Sequence, residues 1–109
     1  MTIYVKETYI LKSEKAAEFY KFLERLKKLV KEKPDLFEEV KSWNAYGAYI
    51  GTSFQGMDLW EYENMAEMEK SYANFDADPT LVKFVTELWT YIVPGTHREE
   101  IWKPVLKLK

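Results

Sequence analysis

From Thr2 to Leu11 the side chains alternate: Ile3, Val5, Tyr9 and Leu11 fall on one side with Glu7 among them, and Tyr4, Lys6, Thr8 and Ile10 on the other. A period of two predicts a strand, and apolar residues on both sides suit a sheet covered by helices on one face and by something else on the other. After Ser13, a residue suited to cap a helix, the period changes: Ala16, Phe19, Leu23, Leu26 and Val30 recur at helical spacing, with Phe22 and Leu29 widening the stripe. Pro34 lacks an N–H and restricts Lys33, so the helix is expected to end there, followed by one further turn through Leu36, Phe37 and Val40.

Ser42 to Ile50 and Met57 to Tyr62 read as two aromatic-rich strands joined as a hairpin through Gly51-Thr52-Ser53-Phe54-Gln55-Gly56. Asn64, with Glu67 three residues on, has the spacing of a capping box, and Met65, Met68, Tyr72 and Phe75 then mark the buried side of a second helix. Asp76-Ala77-Asp78-Pro79 interrupts it. Asp78 as cap and Pro79 as first helical residue restart a third helix along Leu81, Phe84, Val85, Leu88 and Ile92, which Pro94-Gly95 closes. Thr96 to Leu108 reads as a last strand, bent or ended near Pro104. The order predicts one α+β domain over residues 1–109, a ferredoxin-like βαββαβ arrangement with a four-stranded antiparallel sheet and a second helix broken in two. Helices then cover one sheet face only. The other carries too many apolar residues for water, so a second copy of the chain is expected to cover it, the two sheets pairing into a dimeric barrel.

Composition narrows the function classes. Hydrophobic residues at 47% and charged residues at 31% exclude disorder, and no apolar run reaches the ~20 residues of a membrane span. The alternating start, Met1 to Lys6, is not the pattern of a signal peptide. Without cysteine there is no disulfide or thiolate chemistry, in keeping with a cytoplasmic location. A net charge of −2 with interspersed signs argues against nucleic acid as a partner. No cofactor is called for, and one histidine without cysteine leaves a metal site almost no ligands. No Gly-rich phosphate loop is present, since Gly51 and Gly56 bracket a hairpin connection. The aromatic content of 17% is high for so small a core, and implies a subunit interface, a cavity for an apolar or planar ligand, or both.

Several stretches resemble the dimeric α+β barrel superfamily, and within it the NIPSNAP-like proteins and the antibiotic-biosynthesis-type monooxygenases. They are the strand pair Lys41-Ser42-Trp43-Asn44-Ala45-Tyr46 and Asp58-Leu59-Trp60-Glu61-Tyr62-Glu63, the helix start Asn64-Met65-Ala66-Glu67-Met68-Glu69, the Asp78-Pro79 break, and Val93-Pro94-Gly95-Thr96-His97-Arg98-Glu99. The resemblance spans nearly the whole chain. It implies a homodimer with a pocket between sheet and helices in each subunit. The superfamily includes cofactor-free monooxygenases of polycyclic phenols, haem-degrading enzymes and proteins without an assigned reaction. The haem-degrading members use an asparagine, a tryptophan and a histidine on a helix, whereas His97 follows a Pro-Gly turn, which speaks against haem chemistry.

Candidate residues each admit two readings. His97, the one side chain with an ordinary pKa near neutrality, is either a general acid or base at a pocket mouth, with Arg98 beside it to hold an anion, or a solvated turn histidine. Asn44 and Tyr46 share one strand face and Trp43 takes the other; they either present polar atoms to a ligand or pack across strands. Glu61, between Trp60 and Tyr62, and Glu7 on its apolar strand face are either carboxylates with raised pKa values that act as bases, or partners of Lys6, Lys41 or Arg98. Trp89 and Tyr91 on the third helix, with Trp102 on the last strand, either close a ligand cavity or belong to the core, as Met65 and Met68 are expected to.

Overall fold

The computed structural model describes residues 1–109. Strand β1 (Ile3–Ile10) leads through a 3-10 turn at Ser13–Lys15 into helix α1 (Ala16–Glu32), and a second 3-10 turn, Pro34–Phe37, into strand β2 (Val40–Gly47). Strand β3 (Gln55–Tyr62), helices α2 (Met65–Ala77) and α3 (Pro79–Trp89), and strand β4 (Arg98–Trp102) complete the order. All strand pairs are antiparallel, and the sheet runs β2-β3-β1-β4. This is the α+β, ferredoxin-like architecture with a broken second helix that the periodicity predicts. No helix is long and apolar enough to cross a membrane.

The helices cover the face of β1 that carries Ile3, Val5 and Tyr9. Together with Leu11 these are buried, while Phe19, Phe22, Leu26 and Leu29 descend on them from α1 and Leu81 from α3. Asp78 caps α3 as expected, accepting the Leu81 N–H at 2.9 Å, and its second oxygen takes Lys33 Nζ at 3.0 Å, tying the end of α1 to the start of α3. Asn64 likewise caps α2, accepting the Glu67 N–H at 2.9 Å. An Arg25–Glu87 ion pair links α1 to α3.

Four local expectations are corrected. Ser13 caps nothing; its hydroxyl meets Glu14, and the chain enters α1 through the 3-10 turn. Met65, at the first position of α2, is exposed. Helix α3 stops at Trp89, ahead of Pro94-Gly95, because the chain leaves the helix to bond with the end of β1: Lys12 N–H donates to Tyr91 O at 2.8 Å and Val93 N–H to Ile10 O at 2.8 Å. Ile92 therefore joins the core as a bridge partner of Leu11 and Tyr91 sits on a turn, neither on a helix. Strand β4 begins only at Arg98 and ends at Trp102, opposite Tyr4, where β1 itself is about to run out.

One irregularity positions the site. Val40 pairs with Tyr62 but Ser42 with Glu61, so Lys41 is an extra residue in β2, a β-bulge. Without it a period of two would send Val40 and Trp43 to opposite faces. With it both face the helices, Trp43 directly opposite Trp60. Asn44 and Tyr46, opposite Leu59 and Met57, are left on the open face.

Candidate functional site

Between the sheet and the helices lies a cavity of about 180 Å³. Phe19, Phe22 and Leu26 of α1, Phe75 of α2, and Leu81, Phe84 and Leu88 of α3 form its roof, and Trp43 and Trp60 part of its floor. The two indoles stack, with centroids 3.9 Å apart and planes 15° from parallel, and Phe37 and Phe75 close around them at 6.1 Å from Trp43 and 5.9 Å from Trp60. On the β4 side the lining reaches solvent, with Glu99 exposed, His97 and Tyr72 partly so, and Trp89 half-exposed with its ring edge-on to His97 at 5.0 Å. A wider groove of about 600 Å³ runs along α1 and β2 and shares Trp43 with the cavity.

Set into this apolar shell is a row of carboxylates. Strand register places Asp58 opposite Glu7 and Glu7 opposite Glu99, so β3, β1 and β4 contribute three acidic side chains side by side. Each is held by neighbours. Tyr9 Oη donates to Asp58 Oδ1 at 3.0 Å and Trp43 Nε1 to Asp58 Oδ2 at 3.3 Å. Trp60 Nε1 donates to Glu7 Oε2 at 3.1 Å, His97 Nε2 lies 3.3 Å from Glu7 Oε1, and Tyr72 Oη donates to Glu99 Oε1 at 3.2 Å. Tyr9 reaches Asp58 by leaning over Gly56, where a Cβ would lie 2.4 Å from the ring.

Burial and crowding set the electrostatics. Loss of water raises the Asp58 carboxyl to about 6, with the charge of Glu7 adding to the rise and the Tyr9 and Trp43 hydrogen bonds opposing it. Glu7 is raised too, first by burial and then by Glu99, against the lowering influence of His97. Asp58 therefore exchanges its proton close to neutral pH. A carboxyl of this kind can take or give a proton, which one with an ordinary pKa does far less readily. The acidic side chains do not converge on a position that could hold a metal ion.

The sequence candidates divide between the two sheet faces. His97, Trp43, Trp60 and Trp89 line the cavity, with His97 beside Glu7. Asn44, Tyr46, Glu61, Arg98 and Trp102 lie on the open face. There Glu61 accepts from Ser42 at 3.0 Å and lies 4.0 Å from Lys41, and Trp102 has Lys6 5.6 Å from its ring centroid. Sequence reasoning misses Asp58. Its only signal there is parity: it shares a strand side with Trp60 and Tyr62, as a lone acid on what becomes a buried face.

No family model matches the chain, and no curated protein does. Solved structures do. An uncharacterised NIPSNAP-like domain protein from Burkholderia xenovorans superimposes with a TM-score of 0.74 at 23% identity, covering 95% of this chain and 85% of that one. A NIPSNAP family protein from Agrobacterium tumefaciens gives 0.76 at 17% identity, with 96% and 94% covered. SnoaB, a cofactor-independent oxygenase from Streptomyces nogalater represented by a mutant form, gives 0.70 at 10% identity, with 98% and 96% covered. At these identities the likeness is one of fold. The chain has the α+β fold of these NIPSNAP-like proteins.

Proposed function

We propose that the chain binds a small, flat, largely apolar molecule in the cavity between sheet and helices, and does so as a homodimer. The observation that carries the reading is the cavity itself: aromatic side chains enclose it, and its few polar groups lie together on one side, the arrangement of a site that buries a ring and orients it through a polar substituent. Its size sets the scale of the ligand. A ~150 Å³ apolar cavity accommodates benzene, so about 180 Å³ suits a single ring with a short substituent. The dimer rests on the open sheet face, where Tyr46 and Trp102 are about half-exposed among Tyr4, Ile10, Met57 and Leu59. A second sheet laid across it would remove that apolar surface from water.

Native mass spectrometry on gently purified protein tests both parts. The expected species is a two-chain mass carrying up to one small molecule per chain. A bare monomer at micromolar concentration contradicts the dimer. A bare dimer that also fails to bind single-ring compounds added in solution leaves assembly as the role of the aromatic surfaces.

A second reading is a cofactor-free monooxygenase of phenolic substrates. It is favoured by the likeness in fold to a cofactor-independent oxygenase and by Glu7, a carboxylate with raised pKa placed beside His97 to accept a phenol's proton. Oxygen uptake above background with a panel of phenols and quinols is its expected signature, and no uptake by the whole panel would exclude that panel's chemistry.

A further inference from the structure

The lining of the cavity carries more information than its volume. Among its residues there is no lysine and no arginine; His97 is the only side chain able to carry positive charge, against Glu7, Asp58 and Glu99. The remaining donors to these carboxylates, Tyr9, Trp43, Trp60 and Tyr72, are neutral. They orient the oxygens and spread their charge without cancelling it. Glu99 Oε1 is held by Tyr72 at the opening, directly across the strand pair from Glu7. An incoming group at the mouth therefore meets two carboxylates in register, on strands spaced ~4.8 Å apart. Behind them rise the rings of Phe75 and Trp89, whose electron-rich faces attract cations.

We infer that the molecule this cavity takes is a small aromatic cation, a one-ring arylalkylammonium whose ring enters the aromatic shell and whose ammonium rests between Glu7 and Glu99. The inference rests on the proposed ligand-binding role of the cavity and specifies its ligand class. An ammonium supplies the donors and the charge that the carboxylate row lacks, and relieves repulsion between neighbouring acids. An anion of the same shape would face three carboxylates with one histidine to receive it. A neutral alcohol would keep the ring contacts and forgo the charge.

Calorimetric titration of the full chain at pH 7.5 with benzylamine, benzyl alcohol and benzoate separates these cases, since the three share a ring and differ in charge. Benzylamine is expected to bind at least tenfold more tightly than benzyl alcohol, and benzoate not measurably. Glu99→Gln, at the exposed mouth, is expected to weaken benzylamine at least threefold and to weaken it clearly more than benzyl alcohol. Glu7→Gln, once its fold is verified by circular dichroism, should do the same more strongly. Binding of benzyl alcohol or benzoate as tight as that of benzylamine would overturn the cation inference while leaving the cavity a ligand site. Equal loss of benzylamine and benzyl alcohol in Glu99→Gln would overturn the assigned ammonium position. Failure of all three compounds to bind would overturn the cavity reading and the cation inference together.

Discussion

On the open side of the sheet Lys6 lies 4.0 Å from Glu100 and Lys41 4.0 Å from Glu61, whereas on the helix side Glu7, Asp58 and Glu99 stand in a row with His97 as the one neighbour able to carry positive charge. Both faces come from the same strands. Lys6 and Glu7, Trp60 and Glu61, Arg98 and Glu99 are sequence neighbours that a period of two sends in opposite directions. A nearly balanced chain thus yields one face where opposite charges meet in water and another where like charges crowd beneath aromatic rings. Crowded, half-desolvated acids are costly to a fold, and strained features of this kind concentrate at functional sites. The contrast is the physical reason for proposing the ligand site on the helix side.

The largest expected effect is at Asp58. Its carboxyl is raised from 3.8 to about 6, so the folded state holds the proton more tightly than the unfolded one. Ionised Asp58 therefore costs stability above pH 6, and the cost fades as pH falls toward 4, below which both states are protonated. At 1.36 kcal/mol per pH unit the full difference is about 3 kcal/mol. Asp58→Asn, which keeps an acceptor for Trp43 and reverses the Tyr9 bond so that the amide donates to Tyr9 Oη, is expected to be more stable than the parent at pH 7.5, by less than that full value. Urea melts from pH 4 to 7.5 should show the gap closing at the acidic end; a gap that ignores pH would mean that Asp58 is not strained by its charge.

Gly56→Ala sharpens the comparison from the packing side. Its Cβ would collide with the Tyr9 ring, which is buried, packed edge-on to Phe19 at 5.9 Å and tied to Asp58. A loss of about 1–3 kcal/mol is expected, as for other overpacked sites. A neutral outcome would show that Tyr9 is free to move and that the Asp58 network is soft. Lys6→Ala is the control on the open face, where removing an exposed ion pair should change stability by less than about 1 kcal/mol. A larger loss, with a midpoint that depends on protein concentration, would show that Lys6 also makes contacts across the proposed dimer.

The element order and the fold were legible because apolar periodicity is long-lived along β1 and α1 and because Asn64 and Asp78 announce their helices by cap chemistry. Register was not. The bulge at Lys41 decides that Trp43 faces the cavity while Asn44 and Tyr46 do not, and nothing local in Val40-Lys41-Ser42 demands it. The early stop of α3 is another tertiary effect, since its cause is hydrogen bonding to β1 some eighty residues earlier. The acidic row escaped the sequence for the same reason: Glu7, Asp58 and Glu99 are far apart in the chain and meet only through the β1–β3 and β1–β4 registers. His97 and the tryptophans could be singled out by residue type. Their association with Glu7 and Asp58 is a product of pairing.

The four tryptophans allow the central claim to be read in one spectrum. Trp43, Trp60 and Trp89 line the cavity and Trp102 lies on the open face, so the indole N–H signals of ¹⁵N-labelled protein report on both sides of the sheet. Titration with benzylamine is expected to shift the Trp60 signal most, through its hydrogen bond to Glu7, to move Trp43 and Trp89 less, and to leave Trp102 in place. A spectrum in which Trp102 alone responds, or in which no indole signal moves at millimolar ligand, would contradict the account.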